Sequence, residues 1–373
     1  MSTTPLIRFI DKDKNKIQFY STLRKRVDSY FKDNNMSKHY NAEMVIKTIT
    51  LLVGYFLPFA CILFFTPSSM GLNLLLWSIM GLALAGIGMS VMHDANHGAY
   101  SSSSAVNYWL GNTLNLLGGS VFNWKMQHNM LHHTYTNVAG YDEDIEDKLI
   151  MRFSPHTKQK WYNNFQFIHA FFFYGITSIY WTLLKDFVQF YRYKKRGLNE
   201  YSNAENAAIF TKIVLVKIVY FFVFIFTPIY FFNVPASYLI IGFLLMHFIA
   251  GVILTVVFQL AHTVDQTTHP LPDESGTIEN NWAVHQMNTT VDFSRSNKLI
   301  SWYVGGLNFQ VEHHLFPTIC HVHYPEVSKI VEATAKEFGV PFLENETLLD
   351  ALASHVRALK KFGRLPKLSE AIV

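Results

Sequence analysis

The sequence predicts an all-α integral-membrane protein: four transmembrane helices in two hairpins, with a cytoplasmic helical cap holding a metal site. Three observations predict it. The 373 residues are 50% hydrophobic and only 16% charged, whereas a soluble domain carries about 25% charge. Four apolar runs reach the ~20 residues that a bilayer core requires. The histidines gather beside the ends of those runs instead of being spread along the chain.

The elements follow in order. Residues 1–43 form a polar segment with Arg8, Lys12, Lys14, Lys16, Arg24, Lys25, Arg26, Lys32 and Lys38. It lacks the apolar core of a secretory leader, so no cleaved signal is expected. Spans are expected at 44–65, with Pro58 placed to kink the helix, and at 72–92. A second hairpin is expected from spans at 213–232 and 238–260. The hairpin loops TPSSMG (66–71) and NVPAS (233–237) contain no Lys or Arg. The N-terminal segment, YRYKKRG (191–197) and RALKKFGR (357–364) concentrate them. By the positive-inside rule, both termini and the middle of the chain are cytoplasmic. A bacterial inner membrane is expected, or the endoplasmic reticulum in a eukaryotic cell.

Two further apolar stretches, 105–123 and 165–190, are read as interfacial or re-entrant helices, because one extra span would put the histidine clusters on opposite sides. From 326 to 373 apolar and charged residues alternate at helical spacing, which predicts cytoplasmic helices. The chain thus divides into 1–43, a membrane and metal-binding unit at 44–325, and a tail at 326–373. The net charge of +4 comes with no distinct basic face, so nucleic acid is not an expected partner. Two cysteines, Cys61 and Cys320, build neither a disulfide framework nor a four-cysteine cluster. Any metal must be held by nitrogen or oxygen.

Eight of the 17 histidines fall in four places: His93 and His97 in HDANH, His128, His132 and His133 in HNMLHH, His262 in QLAH, and His313 and His314 in QVEHH. On α-helices, residues four apart share a face, so His93 aligns with His97 and His128 with His132. His133 turns about 100° from His132, toward a neighbouring ion. Imidazole suits Zn, Cu, Fe and Ni. Eight imidazoles exceed the four ligands of one tetrahedral zinc and fit two ions. Asp94 and Asn96 are placed either to orient ligand imidazoles or to cap a helix. The acidic run Asp142, Glu143, Asp144, Glu146 and Asp147 reads first as a solvated face; a place for some of it behind the metal ligands, or against a basic donor, is the second reading. His247 lies within a span, where an ionisable group is a functional candidate. It sits about 22 Å along a helix from His262 and so is no ligand of the same centre. His321 and His323 read as structural. His285 is a reserve ligand, and Trp124 and Gln286 are candidates for the substrate path.

HDANH, HNMLHH and QVEHH resemble the three histidine boxes of the integral-membrane fatty acid desaturases, over about residues 44–325. The glutamine-led third box resembles the front-end type and its bacterial relatives. The resemblance implies an O2-dependent, non-haem di-iron enzyme that introduces a cis double bond into a fatty acyl chain, on CoA or on a lipid. It implies iron ligation by His93, His97, His128, His132, His133, His313 and His314. His262 matches the extra histidine of the stearoyl-CoA branch. That branch begins its third box with histidine where this chain has Gln310, and separates its first two histidines by four residues where this chain has three. Gln310 is therefore expected to bind weakly, through water, or from behind a ligand.

Front-end enzymes often carry a fused cytochrome b5 domain with an HPGG motif, which this sequence lacks. Electrons are then expected from a separate ferredoxin, or from a free cytochrome b5 with its reductase. Positive-inside retention explains the basic termini first; docking of an acidic donor is the second reading. Two rivals stand beside the desaturase. A di-iron membrane hydroxylase shares the boxes. A non-enzymatic metal-binding or transporting protein would need ligands along its spans, where only Lys47, Lys217 and His247 occur. A zinc protease would need H-E-x-x-H, which is absent.

Overall fold

The computed structural model describes residues 7–10, 13, 16–146 and 150–366. Lys12, Lys14, Asp147 and the last seven residues of the tail lie outside them. The protein is almost all helix. In chain order the elements that matter are α1 (Phe19–Asp33), α2 (Ala42–Phe65), α3 (Met70–Asn96), α4 (Ser104–Gly111), α5 (121–135), α6 (Trp161–Lys195) and α7 (Asn203–Phe232). They continue with α8 (Ala236–His262), α9 (Trp282–Thr289), α10 (Lys298–Tyr303), α11 (Gln310–Leu315), α12 (Tyr324–Glu337) and α13 (Leu348–Arg364). Among the described residues the sheet consists of two short parallel pairs. β1 (Arg8–Ile10) pairs with β2 (Thr277–Glu279), and β3 (Asp292–Phe293) pairs with β4 (Glu344–Asn345). They tie the N-terminal segment and the tail to the region around α9 and α11.

Five helices, α2, α3, α6, α7 and α8, are long and apolar enough to cross a membrane, where the sequence predicted four. The addition is α6, a 35-residue helix covering the stretch expected to lie at the interface. The other four match the predicted spans and run past them. α3 continues from the expected end at residue 92 to Asn96, and α7 begins ten residues early. Pro58 sits inside α2 without ending it.

The span bundle closes around Tyr55, Phe59, Trp77, Met80, Phe224 and Met246, all buried. Without a hydrophobic drive between helices in lipid, packing relies on small residues that admit close approach. Gly81 lies against the Met246 carbonyl and Gly242 against the Trp77 ring, which brings α3 onto α8. Gly251 lies against the carbonyls of Tyr174 and Gly175, which brings α6 onto α8. The outer faces stay apolar: Ile46, Phe65, Leu75, Ile218 and Phe231 are exposed, as lipid-facing residues require.

The remainder has a separate core. Phe19, Leu23, Val27 and Phe31 recur at helical spacing on α1 and pack with Val327, Val331 and Ala335 of α12. α13 begins with a capping box, in which Thr347 and Asp350 satisfy each other's backbone N–H groups. It buries Leu359 with Tyr174 of α6.

Candidate metal centre

Four helix ends converge. α3 delivers His93, with His97 as its C-cap residue. α8 ends on His262, and α11 carries Gln310, His313 and His314. α5 starts from Ser120, whose Oγ caps the Asn123 N–H. Over Lys125–His132 it widens into a π-helix, and the His133 N–H bonds to the His128 carbonyl, five residues back.

That widening corrects the pairing expected from α-helical spacing. With i→i+5 bonding, residues five apart meet. His128 and His133 therefore face each other, Nε2 to Nε2 at 3.3 Å. His132 turns to the other side, against His262 at 4.6 Å and His314 at 4.9 Å between ring centroids.

The eight histidines form two groups with a link between them. His93, His97, His128 and His313 each present a nitrogen within 4.8 Å of the others, and so do His132, His262 and His314. His133 joins a third such set with His313 and His314. His93 and His128 meet Nε2 to Nε2 at 3.1 Å. Two imidazoles on one ion with bonds of about 2.0–2.1 Å stand roughly 3 Å apart. The spacing is that of ligands around a shared ion.

The donor set fits a metal on a second count. Buried nitrogens lacking a hydrogen-bond partner are concentrated here: His93 Nδ1, His97 Nε2, His132 Nε2, His133 Nδ1, His313 Nε2 and His314 Nε2. Such groups are costly unless something outside the chain satisfies them. In four rings the far nitrogen is fixed. His132 Nδ1 donates to Asp142 at 3.1 Å, and His262 Nδ1 to the Thr289 carbonyl at 3.2 Å. His314 Nδ1 donates to Gln286 Oε1 at 2.8 Å, and His313 Nδ1 faces the Tyr324 hydroxyl at 3.4 Å. A proton held on Nδ1 leaves Nε2 as the lone-pair donor. Burial, reinforced by neighbouring imidazoles, holds His97, His128, His133, His313 and His314 well below the ordinary histidine range. They stay neutral, as metal ligation requires. Burial opposes charge on His132 too, but attraction to Asp142 and the bond to it outweigh burial and raise it.

The other predicted residues fall as follows. Gln310 lies at the second group, its Nε2 bonded to His262 Nε2 at 2.9 Å. Asp94 reaches only 3.7 Å from His93 Nδ1, too far for a hydrogen bond. Its carboxylate instead accepts from the His321 N–H and from His321 Nδ1 at 2.8 Å. Asn96 orients no histidine; its amide donates to the Gly111 carbonyl at 3.1 Å. His285 is outside all three sets, its ring 5.0 Å from that of Phe9. Trp124 lies over the His128 ring at 4.5 Å. Gln286 is fully buried and joins His314, Thr136 and the His133 carbonyl. His321 also bonds Lys47 Nζ at 2.7 Å, and His323 bonds the His39 carbonyl. His247 has both nitrogens bonded, to Ser178 and to Tyr220.

The acidic run departs most from its reading as a solvated face. Asp142 and Glu143 are buried. Glu143 accepts from Gln189 at 3.1 Å and from Tyr193 at 2.8 Å, and pairs with Arg192. Asp142 accepts both from His132 and from the Asn137 backbone N–H. Asp142 takes the second reading of the acidic run, a place behind a ligand. Thr289 and Tyr324 are the supports that sequence reasoning missed, and neither left a signal.

This fold and cluster define a helical membrane protein with a buried, histidine-built metal site. The chain belongs to the fatty acid desaturase family, whose model matches residues 68–345, and it is an oxidoreductase acting on fatty acyl chains. It is 34% identical to sn-1 linoleoyl-lipid 6-desaturase of Arthrospira platensis, over 98% of this chain and 97% of that one. It is also 34% identical to sn-1 linoleoyl-lipid 6-desaturase of Synechocystis sp., over 98% of this chain and 99% of that one. Identity to the acyl-lipid (8-3)-desaturase of Physcomitrium patens is 35%, over 94% of this chain and 73% of that one.

Proposed function

We propose that the protein is a di-iron acyl-lipid desaturase, inserting a cis double bond into a fatty acyl chain carried on a membrane lipid. The observation that carries this is the set of buried histidine nitrogens facing one another without hydrogen-bond partners. The relatives named as acting on acyl-lipids support the substrate class. One ion is assigned to His93, His97, His128 and His313, the other to His132, His262 and His314, with His133 between them and Gln310 at the edge of the second. Two irons held there supply the O2 activation and the removal of hydrogen from two adjacent methylenes. Two electrons and two protons complete the balance, so that O2 leaves as two waters. The chain's own part is to keep these imidazoles neutral, fix their tautomers, exclude water and hold one C–C bond in reach. Electrons come from a separate ferredoxin or cytochrome b5.

We also propose that four of the five apolar helices span, with the metal site and both termini on the cytoplasmic face. Residues 44–325 form the membrane and metal-binding unit, between the flanking segments 1–43 and 326–373. The contacts of α6 support an interfacial course. Near its start, Gln166 bonds the backbone N–H and carbonyl of Arg152, both at 2.8 Å. Near its end, Gln189 and Tyr193 bond Glu143. Gln166 and Gln189 are roughly 35 Å apart along the helix. If α6 crossed the bilayer, the polar segment between Glu143 and Arg152 would have to cross it in extended form, with nothing to satisfy its backbone in lipid. Lying along the interface, both ends meet one cytoplasmic segment.

The test is expression in a host lacking polyunsaturated lipids, with lipid classes separated before new double bonds are located by mass spectrometry. New alkenes in intact lipids, and about two irons per chain, are the expected result. A hydroxy acid without a new alkene would replace the desaturase with a hydroxylase.

A further inference from the structure

A hollow lies along α1. It is a groove of about 670 Å³ between α1 and the start of α9, bordered by Tyr20, Arg24, Lys25, Asp28, Lys32 and Trp282. A second hollow of about 450 Å³ shares Asp28 and Lys32 with it and extends to Lys38. Along this edge four cations face one carboxylate, and Asp28 is already paired with Lys38 at 2.5 Å. The face is net basic and open.

The floor of the groove leads directly to the histidines. Trp282 Nε1 donates to the backbone carbonyl of His133 at 3.0 Å. The Tyr20 hydroxyl donates to the carbonyl of Leu315, the residue after His314, at 3.1 Å. The two rings meet edge to face, 5.5 Å apart. Both aromatics are partly exposed, so each connects the surface to the backbone of a cluster residue through one hydrogen bond.

We infer that this groove is the docking site of an acidic one-electron carrier protein, and that Trp282 is the contact through which its electron reaches His133. The inference rests on the redox function proposed above and names the partner of that site. Opposite charges steer such encounters and set their salt dependence more than their final affinity. In each encounter the carrier loses one electron and the site gains it; two encounters complete a turnover. A bilayer surface is the competing occupant of a basic helix. A helix that binds lipid must offer it an apolar face. α1 has used its own: Phe19, Leu23, Val27 and Phe31 are buried against α12 and its neighbours. What it leaves outside is polar throughout: Ser21, Arg24, Lys25, Asp28, Ser29, Lys32 and Asp33.

The full-length protein in nanodiscs, supplied with an acidic [2Fe–2S] ferredoxin and its reductase, provides the test. The triple change Arg24→Glu, Lys25→Glu and Lys32→Glu should raise the KM for ferredoxin about tenfold at low salt and abolish its rise with ionic strength. Single-turnover product formation after reduction by dithionite and a small mediator should stay at the wild-type level. Trp282→Phe, which keeps the ring and loses the N–H, should lower kcat with ferredoxin at unchanged KM and unchanged iron content. A wild-type KM and salt response in the triple variant overturns the docking site. So does an effect that disappears when anionic lipid is left out of the nanodiscs, because the groove then serves the membrane. Loss of iron in Trp282→Phe overturns its role as the electron contact. If the wild type forms no product even after chemical reduction, the failure lies in the desaturase reading and not in the docking site.

Discussion

α8 carries two histidines 15 residues apart, and their surroundings differ in one decisive respect. His247 lies among the spans with both nitrogens satisfied: Nδ1 by Ser178 at 2.8 Å and Nε2 by Tyr220 at 2.7 Å. His262 lies at the end of the same helix, one nitrogen fixed by the Thr289 carbonyl and the other turned toward Gln310, among rings whose free nitrogens face inward. His247 thus works as a structural cross-link, tying α8 to Ser178 of α6 and Tyr220 of α7. His262 also has a partner at each nitrogen, but it stands in a cluster: one nitrogen each from His132, His262 and His314 lies within 4.8 Å of the others, and Nε2 of His132 and of His314 has no hydrogen-bond partner. His355 belongs to the first kind, bonded by the Thr263 carbonyl and the Tyr174 hydroxyl. Counting histidines does not separate the two kinds; the gathering of their nitrogens does, since among the described residues neither His247 nor His355 belongs to any of the close-set groups.

The contrast can be broken at several points. His132→Ala removes a ring of the cluster, and product formation should fall at least about 100-fold, with close to one iron per chain lost by elemental analysis. Residual activity above a tenth of wild type would remove His132 from the ligand set. Asp142→Asn leaves the ring but no longer fixes its tautomer. Metal affinity measured by chelator competition should drop about 10- to 100-fold, with the fold retained by circular dichroism.

Acid should act on buried rings that lie outside both the spans and the cluster. Burial lowers His285 and His355 to about 4, from an ordinary value of 6.5. Below pH 6.5 the unfolded chain takes up protons that these folded rings refuse until about pH 4. Stability is therefore full above pH 6.5 and declines between 6.5 and 4. The thermal midpoint should fall across that window by roughly several degrees, and His355→Gln should flatten the slope. The smallest effect on the metal centre is expected from His247→Leu. Iron content and turnover should remain within about twofold, while unfolding in detergent is eased by about 1–3 kcal/mol through the lost interhelical bonds. Loss of iron in that variant would erase the distinction between the two kinds of ring.

Much of this was legible in the sequence. Four of the five long apolar helices follow from runs such as 213–232, and the three boxes placed their histidines at the helix ends where they are found. Gln310 lies beside the second group, its amide bonded to His262. Other features were hidden for physical reasons. The π-helix at Lys125–His132 leaves no mark in composition, so the meeting of His128 with His133 was hidden, although His128 and His132 still stack at 5.4 Å as their spacing predicted. Asp142 and Glu143 look solvated because burial of a carboxylate depends on partners distant in sequence, such as Gln189 and Tyr193. α6 satisfies length and hydropathy as a span, and only its two ends, bonded to Arg152 and Glu143, argue for a different course. Asn96 sat inside a box and attracted a role in orienting ligands, but its amide turned to a nearby backbone carbonyl.

The π-helix in α5 makes the metal site sensitive to chain length as well as to chemistry. A π turn is in effect an α-helix with one surplus residue, and the surplus lies between two histidines that must meet. Deleting a single residue between His128 and His133, Asn129 for example, would relax the segment to ordinary helix and keep every histidine of the sequence. His133 would then stand four residues from His128, still on its face, and the displacement would fall on His132, left three residues from His128 instead of four. For this stretch, spacing carries as much information as residue type, and a one-residue gap is a heavier change than most substitutions.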